Sequence, residues 1–140
     1  MDDKQIANIK KYLNIINKNI EVIEKANEGL VDFAIAEVLD RVQLYLNSET
    51  IPTKIERILA NIVNNGLKRC LKDISISSED NTAVDQVITS ISDNGQSISY
   101  ANEVTKYFTS VSDEELFTGF SQLLSRYRRV KVVYPANNEN

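Results

Sequence analysis

The most constraining feature of this sequence is a long stretch, residues 27–46, in which apolar side chains surround most of a helix. A stripe recurs at spacings of three and four residues, which is the period of an α-helix. Its members are Leu30, Ala34, Val38, Val42 and Tyr45, widened by Phe33, Ile35, Leu39 and Leu46. Such a helix is buried on several sides, either by its own chain or by neighbouring subunits. An extension backward through residues 24–28 would place Gly29 in the helix interior, at a cost of about 1 kcal/mol.

A second amphipathic helix is predicted after Pro52, because proline suits a first helical turn. Its apolar face comprises Ile55, Ile58, Leu59, Ile62, Val63, Leu67 and Leu71. The opposite face comprises mainly Lys54, Arg57, Asn61, Asn64, Lys68 and Lys72. Asn65-Gly66 is a potential interruption, but the helical period resumes beyond it, and Cys70 falls on the apolar side as a small buried residue. We expect these two helices to form an antiparallel pair at the centre of the core.

The segments on either side are shorter. Ile6, Ile9, Leu13 and Ile16 indicate a short N-terminal helix, followed by a turn in the asparagine-rich stretch 14–19. Residues 73–100 are polar, and two β-prone runs, 87–92 and 96–100, flank Asn-Gly, which is a strong hairpin signal. Residues 101–109 then suggest a short helix.

The C-terminal part is predicted to contain one more helix and a tail. The sequence 112–115, SDEE, is a capping box that opens a helix reaching about residue 129. A β-prone run, 130–135, begins an extended tail that ends at residue 140. The predicted fold is therefore mainly α: a small bundle of four to five helices with a loop or β-hairpin arm at 73–100.

Composition argues against an enzyme. The chain has 140 residues, the size of one domain (1–140), and a formal net charge of −4. It has no histidine, one cysteine and four glycines that form no nucleotide-binding motif. Its carboxylate pairs are not embedded in apolar sequence, so they indicate solvated faces. We expect no catalysis, no cofactor and no metal. The lack of a signal peptide or an apolar stretch of about 20 residues predicts a soluble protein that is intracellular when made.

Three features could contact a partner, each with a structural alternative. The hairpin arm is either a projecting docking element or a surface excursion. The basic cluster Arg126, Arg128, Arg129 and Lys131 either pairs with an acidic surface or phosphate, or simply complements the helix dipole. The apolar tail 130–134 either adds a strand to a partner's sheet or packs on its own domain.

These segments together resemble the head–tail connector (adaptor) proteins of tailed phages. Residues 31–47, VDFAIAEVLDRVQLYLN, look like the first core helix of that family. Residues 52–60, PTKIERILA, resemble the "P-x-x-(I/L)-x-x-(I/L)-(A/V)" helix that follows it. Residues 90–100, SISDNGQSISY, are similar to a polar, glycine-containing segment of related neck proteins. A terminal helix ending in Leu-x-x-Tyr-Arg-Arg also fits, so the resemblance covers residues 4–134.

The resemblance implies a structural virion protein that forms a ring, typically of about twelve subunits closed by heterologous contacts. Such a protein is made in the host bacterial cytoplasm and resides in the neck of the virion. Its partners are other copies of itself, the portal protein and the next neck or tail protein, and phage DNA passes through the ring without sequence-specific binding. The implied portal-facing residues are Arg126, Arg128, Arg129, Lys131, Val132, Val133 and Tyr134. The implied inter-subunit or tail-side residues are Asp93, Asn94, Gly95, Gln96, Ser97 and Tyr100.

The alternative interpretation is a small helical DNA-binding or regulatory module. Its phosphate contacts would come from Lys54, Arg57, Lys68, Lys72 and the basic residues at 126–131. The net negative charge of the chain and the lack of a recognition-helix motif favour the connector interpretation.

Overall fold

The computed structural model describes the backbone of residues 3–77 and 94–128, and the side chains of residues 3–70 and 99–128. Within those ranges the chain forms seven α-helices and no strand, which confirms the prediction of a mainly α-helical protein. The helices are α1 (Asp3–Ile16), α2 (Ile20–Ala26), α3 (Leu30–Leu46), α4 (Glu56–Ser77), α5 (Asn94–Ser110), α6 (Asp113–Leu116) and α7 (Ser121–Ser125). A single 3₁₀ turn, Thr53–Ile55, follows Pro52 and leads into α4.

Helix α3 is buried mainly by its own chain. Both flanking residues, Gly29 (φ +84°) and Asn47 (φ +54°), are left-handed, so Gly29 lies outside the helix, where its conformational freedom is needed. The buried residues of α3 are Leu30, Val31, Ala34, Ile35, Val38, Leu39, Val42 and Leu46. Helices α1, α2, α4 and α5 all contact α3. Of the two alternatives left by the sequence, cover by the chain itself is therefore the one observed, and Leu44 is the one large apolar residue of α3 that stays largely exposed.

The four long helices form a bundle in which α3 and α4 each pack against α1 and α5. Gln5 Nε2 donates to Glu56 Oε2 at 3.2 Å, and Asn17 Nδ2 donates to Asn64 Oδ1 at 2.9 Å. Because both bonds join residues in the same order along the two helices, α1 and α4 run in the same direction. The short connection between α3 and α4 reverses the chain, as the predicted antiparallel pair requires.

Helices α4 and α5 approach closely at Gly66. A Cβ atom added to Gly66 would lie 2.6 Å from Cζ of Phe108 and 3.1 Å from Cε2 of Tyr107. The two aromatic rings meet edge to face, with centroids 5.1 Å apart, and Phe108 is buried. Arg69 Nη1 donates to the Tyr107 hydroxyl at 2.5 Å. Gly66 thus lets an aromatic pair press directly on the backbone of α4, which continues through this position without interruption.

The predicted β-hairpin is not supported, because its turn and second strand lie in helix α5. Residues 94–100 are helical, while the first predicted strand, 87–92, lies outside the described residues. The physical reason is a buried stripe at helical spacing: Tyr100, Val104, Phe108 and Val111. Packing of this stripe against α4 outweighs the local turn preference of Asn-Gly.

Tyr100 is fully buried at the α4–α5 contact. Its hydroxyl donates to the Leu67 carbonyl oxygen at 3.3 Å, and Cys70, buried as predicted, donates from Sγ to the Glu103 carbonyl oxygen at 3.8 Å. Burial raises the pKa of the Tyr100 phenol well above its usual value, with a smaller contribution from Cys70. Tyr100 is therefore a core residue of this fold and is not accessible to a partner.

The predicted C-terminal helix is divided into two short helices. The capping residue is as expected, since Ser112 Oγ accepts from the Glu115 backbone N–H at 3.2 Å. Helix α6 then ends after one turn, and a turn containing Gly119 (φ +87°) precedes α7. The turn carries Phe117 into the core, where its ring centroid lies 5.2 Å from that of Tyr45. The predicted extended tail, 130–140, lies outside the described residues.

Arg41 fastens this C-terminal part to α3. Its guanidinium donates to the carbonyl oxygens of Phe108 and Val111 and to Asp113 Oδ1, the last at 3.1 Å. The two carbonyls lie at the C-terminal end of α5, where cations are favoured by the helix dipole. The guanidinium of Arg41 is therefore bonded to groups of its own chain.

Candidate interaction surfaces

A basic face is formed by α1, α4 and the turns next to them. We define it as the exposed residues Lys4, Lys11, Lys18, Lys54, Arg57 and Lys68. The Arg57 guanidinium lies 5.9 Å from the centre of the Tyr12 ring, a cation–π contact that joins the two helices. Among residues 54–70 the sequence has one carboxylate, Glu56, which is buried and bonded to Gln5. Local charge on this side is thus positive, although the net charge of the chain is negative.

Lys10 points away from the basic face and is engaged elsewhere. Its ammonium lies 3.2 Å from Asp32 Oδ1 and 3.5 Å from Glu24 Oε2. Burial alone would lower the pKa of Lys10, but the hydrogen bond to Asp32 and the nearby negative charges outweigh it, so the pKa is raised. This cluster ties α1 to α2 and α3.

An acidic face follows the outer side of α3. We define it as Glu37, Asp40 and Glu49, continued by the exposed Glu114 of α6. Arg41 is the sole cation between residues 30 and 50, and it is bonded to α5 and α6 as described above. Since α3 and α4 bury the sides on which they meet, their exposed sides point away from each other. On the side of α1, however, the basic and acidic faces adjoin, because Lys4 and Glu49 line one cavity of about 430 Å³.

An open cavity of about 650 Å³ lies beside the acidic face at the C-terminal end of α3. It is lined by Asp40, Gln43, Leu44, Asn47, Ser48 and Glu49. Leu44, near the end of α3, is 80% exposed there. Among the described residues no three side chains of metal-binding type lie together. None of the helices within residues 3–77 and 94–128 is both long enough and apolar enough to cross a membrane.

The sequence-predicted portal-facing residues are placed only in part. Arg126 is exposed, and the Arg128 guanidinium lies 5.4 Å from the centre of the Tyr45 ring, against α3. Arg129, Lys131, Val132, Val133 and Tyr134 lie outside the described residues. The cluster is therefore represented by two arginines, one of which packs on an aromatic ring.

The predicted inter-subunit residues are also divided. Asn94, Gly95, Gln96 and Ser97 form the first turn of α5, and their side chains are not among those described. Asp93 lies outside the described residues, and Tyr100 is in the core. Sequence reasoning missed the acidic face and the exposed Leu44, because it treated all of α3 as a buried element. The seven-residue spacing of Lys4, Lys11 and Lys18 was a usable signal for the basic face.

Comparison with known proteins found no matching family model, no matching curated protein and no matching solved structure.

Proposed function

We propose that this chain is a structural subunit of a ring in the neck of a tailed phage or prophage particle, joining the portal to the tail. The observation that carries the proposal is the presence of a basic face and a separate acidic face on one helical bundle. A closed ring needs two different, complementary patches on each subunit, and charge separation of this kind supplies them. The resemblance of residues 31–47 and 52–60 to connector helices supports the same assignment.

In the proposed ring the basic C-terminal segment beginning at Arg126 contacts the portal, and the segment at 93–97 faces a neighbour or the tail side. Tyr100 is removed from the second set because its side chain is buried. The channel carries DNA without retaining it, since each phosphate contact formed by a lining cation would slow its passage. The net charge of −4 per subunit suits that requirement.

The test is assembly with the portal protein encoded in the same phage or prophage genome. On co-expression we expect the two proteins to co-purify and electron micrographs to show a ring of about twelve small subunits beneath the portal. Arg126→Glu is expected to reduce the recovered chain at least about tenfold, because it reverses a charge at the proposed contact. Lys106→Glu, an exposed charge reversal on α5, is the matched control and is expected to co-purify normally. Failure of the wild-type chain to bind the portal in this experiment would refute the proposal.

The second candidate, a DNA-binding module, is favoured by the basic face. The six cations of this face could neutralise several phosphates, so binding to a duplex would weaken steeply with salt, with a log–log slope down to about −5. Arg57→Glu with Lys68→Glu should then abolish retardation in a gel, whereas Lys106→Glu should not. If a duplex is not retarded by the wild-type chain at low salt, this candidate is discarded.

A further inference from the structure

We propose that the outward side of α1 in one copy docks on the outward side of α3 in the next copy, with Lys11 opposite Asp40 and Ile15 opposite Leu44. The inference rests on the proposed ring, and it deepens that proposal by naming the contact between subunits. The occupant of the acidic face is thus a second copy of this chain.

Each of the two sides carries a charged residue followed four positions later by an exposed aliphatic residue. Lys11 and Ile15 are four residues apart on α1, and Asp40 and Leu44 are four residues apart on α3. Four residues span about 6 Å along a helix, slightly more than one turn, so each pair lies on one side of its helix. Two helices laid side by side in the same direction would therefore match charge to opposite charge and apolar side chain to apolar side chain.

The apolar members of these pairs stand out from the rest of the surface. Leu44 is 80% exposed and Ile15 is 75% exposed, the two highest values among the exposed large hydrophobic side chains of the described residues. Burying an aliphatic side chain of this size is favourable, because its apolar surface is removed from water. An aliphatic anchor surrounded by polar residues is typical of a protein interface.

The surrounding charges favour the same pairing. Lys18 lies beyond Lys11, just after the end of α1, while Glu37 lies one turn before Asp40 on α3. Arg41 is the cation on the acidic side, and its guanidinium is bonded to α5 and α6, so it brings no opposing charge to the outward side of α3. The two sides are therefore electrostatically complementary, which favours their encounter and their alignment.

The charges also select the symmetry of the contact. Pairing α1 with α1 would bring three lysines against three lysines, and pairing α3 with α3 would oppose carboxylates. Like charges that face each other are unfavourable, which disfavours a twofold dimer through either side. The α1–α3 contact is instead head to tail, and contacts of this kind continue from copy to copy until the assembly closes.

The experiment measures self-association by sedimentation velocity at low salt, up to about 1 mM chain, so that a weak contact with a Kd of about 1 mM is detected. Lys11→Asp and Asp40→Lys are each expected to weaken self-association at least about tenfold, because each places like charges together. The double variant Lys11→Asp with Asp40→Lys exchanges the charges and is expected to restore association. Leu44→Ser should weaken it without changing stability, because Leu44 is exposed in the monomer.

A cross-link gives a second, directional test. Mixing Lys11→Cys chains with Asp40→Cys chains under mild oxidation is expected to yield a disulfide-linked pair. The pair Lys106→Cys with Asp40→Cys should not form one, and the buried Cys70 should not react.

If the wild-type chain self-associates but no single charge reversal weakens this association, the α1–α3 contact is wrong and the ring proposal survives. A wild-type chain that stays monomeric over this range also overturns the contact, and the portal experiment then decides the function separately. Duplex binding of the same variants is the last comparison. If Lys11→Asp abolishes duplex binding and the added Asp40→Lys change does not restore it, Lys11 contacts DNA and not a second copy.

Discussion

Replacing Tyr100 with alanine is expected to lower the free energy of unfolding by about 3–5 kcal/mol, as for other buried aromatic residues. The ring is completely buried between α4 and α5, so its removal leaves a cavity that the surrounding helices can close only in part. A loss of this size is a large fraction of the stability of an ordinary domain. Urea denaturation followed by circular dichroism measures it directly.

Two further variants separate the contributions at this position. Tyr100→Phe keeps the ring and removes only the hydrogen bond to the Leu67 carbonyl, so we expect a loss of about 0.5–1.5 kcal/mol. Tyr127→Ala is the matched control, because Tyr127 is 36% exposed and should lose much less. If Tyr100→Ala unfolded at the same urea concentration as the wild type, Tyr100 would be a surface residue, as the sequence first suggested.

The incorrect prediction at Tyr100 shows that packing between distant residues can override a local sequence preference. Asn94-Gly95 between β-prone runs is a strong hairpin signal over a few residues, and the polar residues around it hide the helical stripe that begins at Tyr100. The stripe becomes decisive only when α4 offers it an apolar surface, and this contact joins residues more than thirty positions apart. The sequence suggested a helix only over residues 101–109, so the helix was predicted too short.

The sequence predicted helices most reliably where the apolar periodicity ran along the whole length of one helix. The apolar periods of α3 and α4 predicted both helices, and the turn after α1 and the Ser112 cap also followed from short-range chemistry. The break at Gly119 was missed because a left-handed glycine inside an apolar helical period looks like a tolerated residue. The acidic face was missed for a related reason, since an apolar stripe does not say which helices cover it and which side stays open.

Replacing Gly66 with alanine is expected to destabilise the chain by about 1–3 kcal/mol, although alanine is the better helix former by about 1 kcal/mol. The new methyl group would lie 2.6 Å from Cζ and 2.9 Å from Cε1 of Phe108, a ring that has no room to retreat because it is buried. Leucine at position 108 has neither atom. In the Phe108→Leu background we therefore expect Gly66→Ala to become neutral or stabilising by up to about 1 kcal/mol, so that its sign changes.

The double-mutant cycle measures this reversal as a coupling energy of about 2 kcal/mol between residues that touch in the structure. Urea unfolding of the wild type, the two single variants and the double variant supplies the four free energies. Asn61→Ala, on the exposed side of the same helix, controls for helix propensity and should not couple to Phe108→Leu. Equal effects of Gly66→Ala in both backgrounds would mean that α5 does not press on α4 at this point. Because that contact also holds Tyr100 in the core, the result would count equally against the large loss expected for Tyr100→Ala.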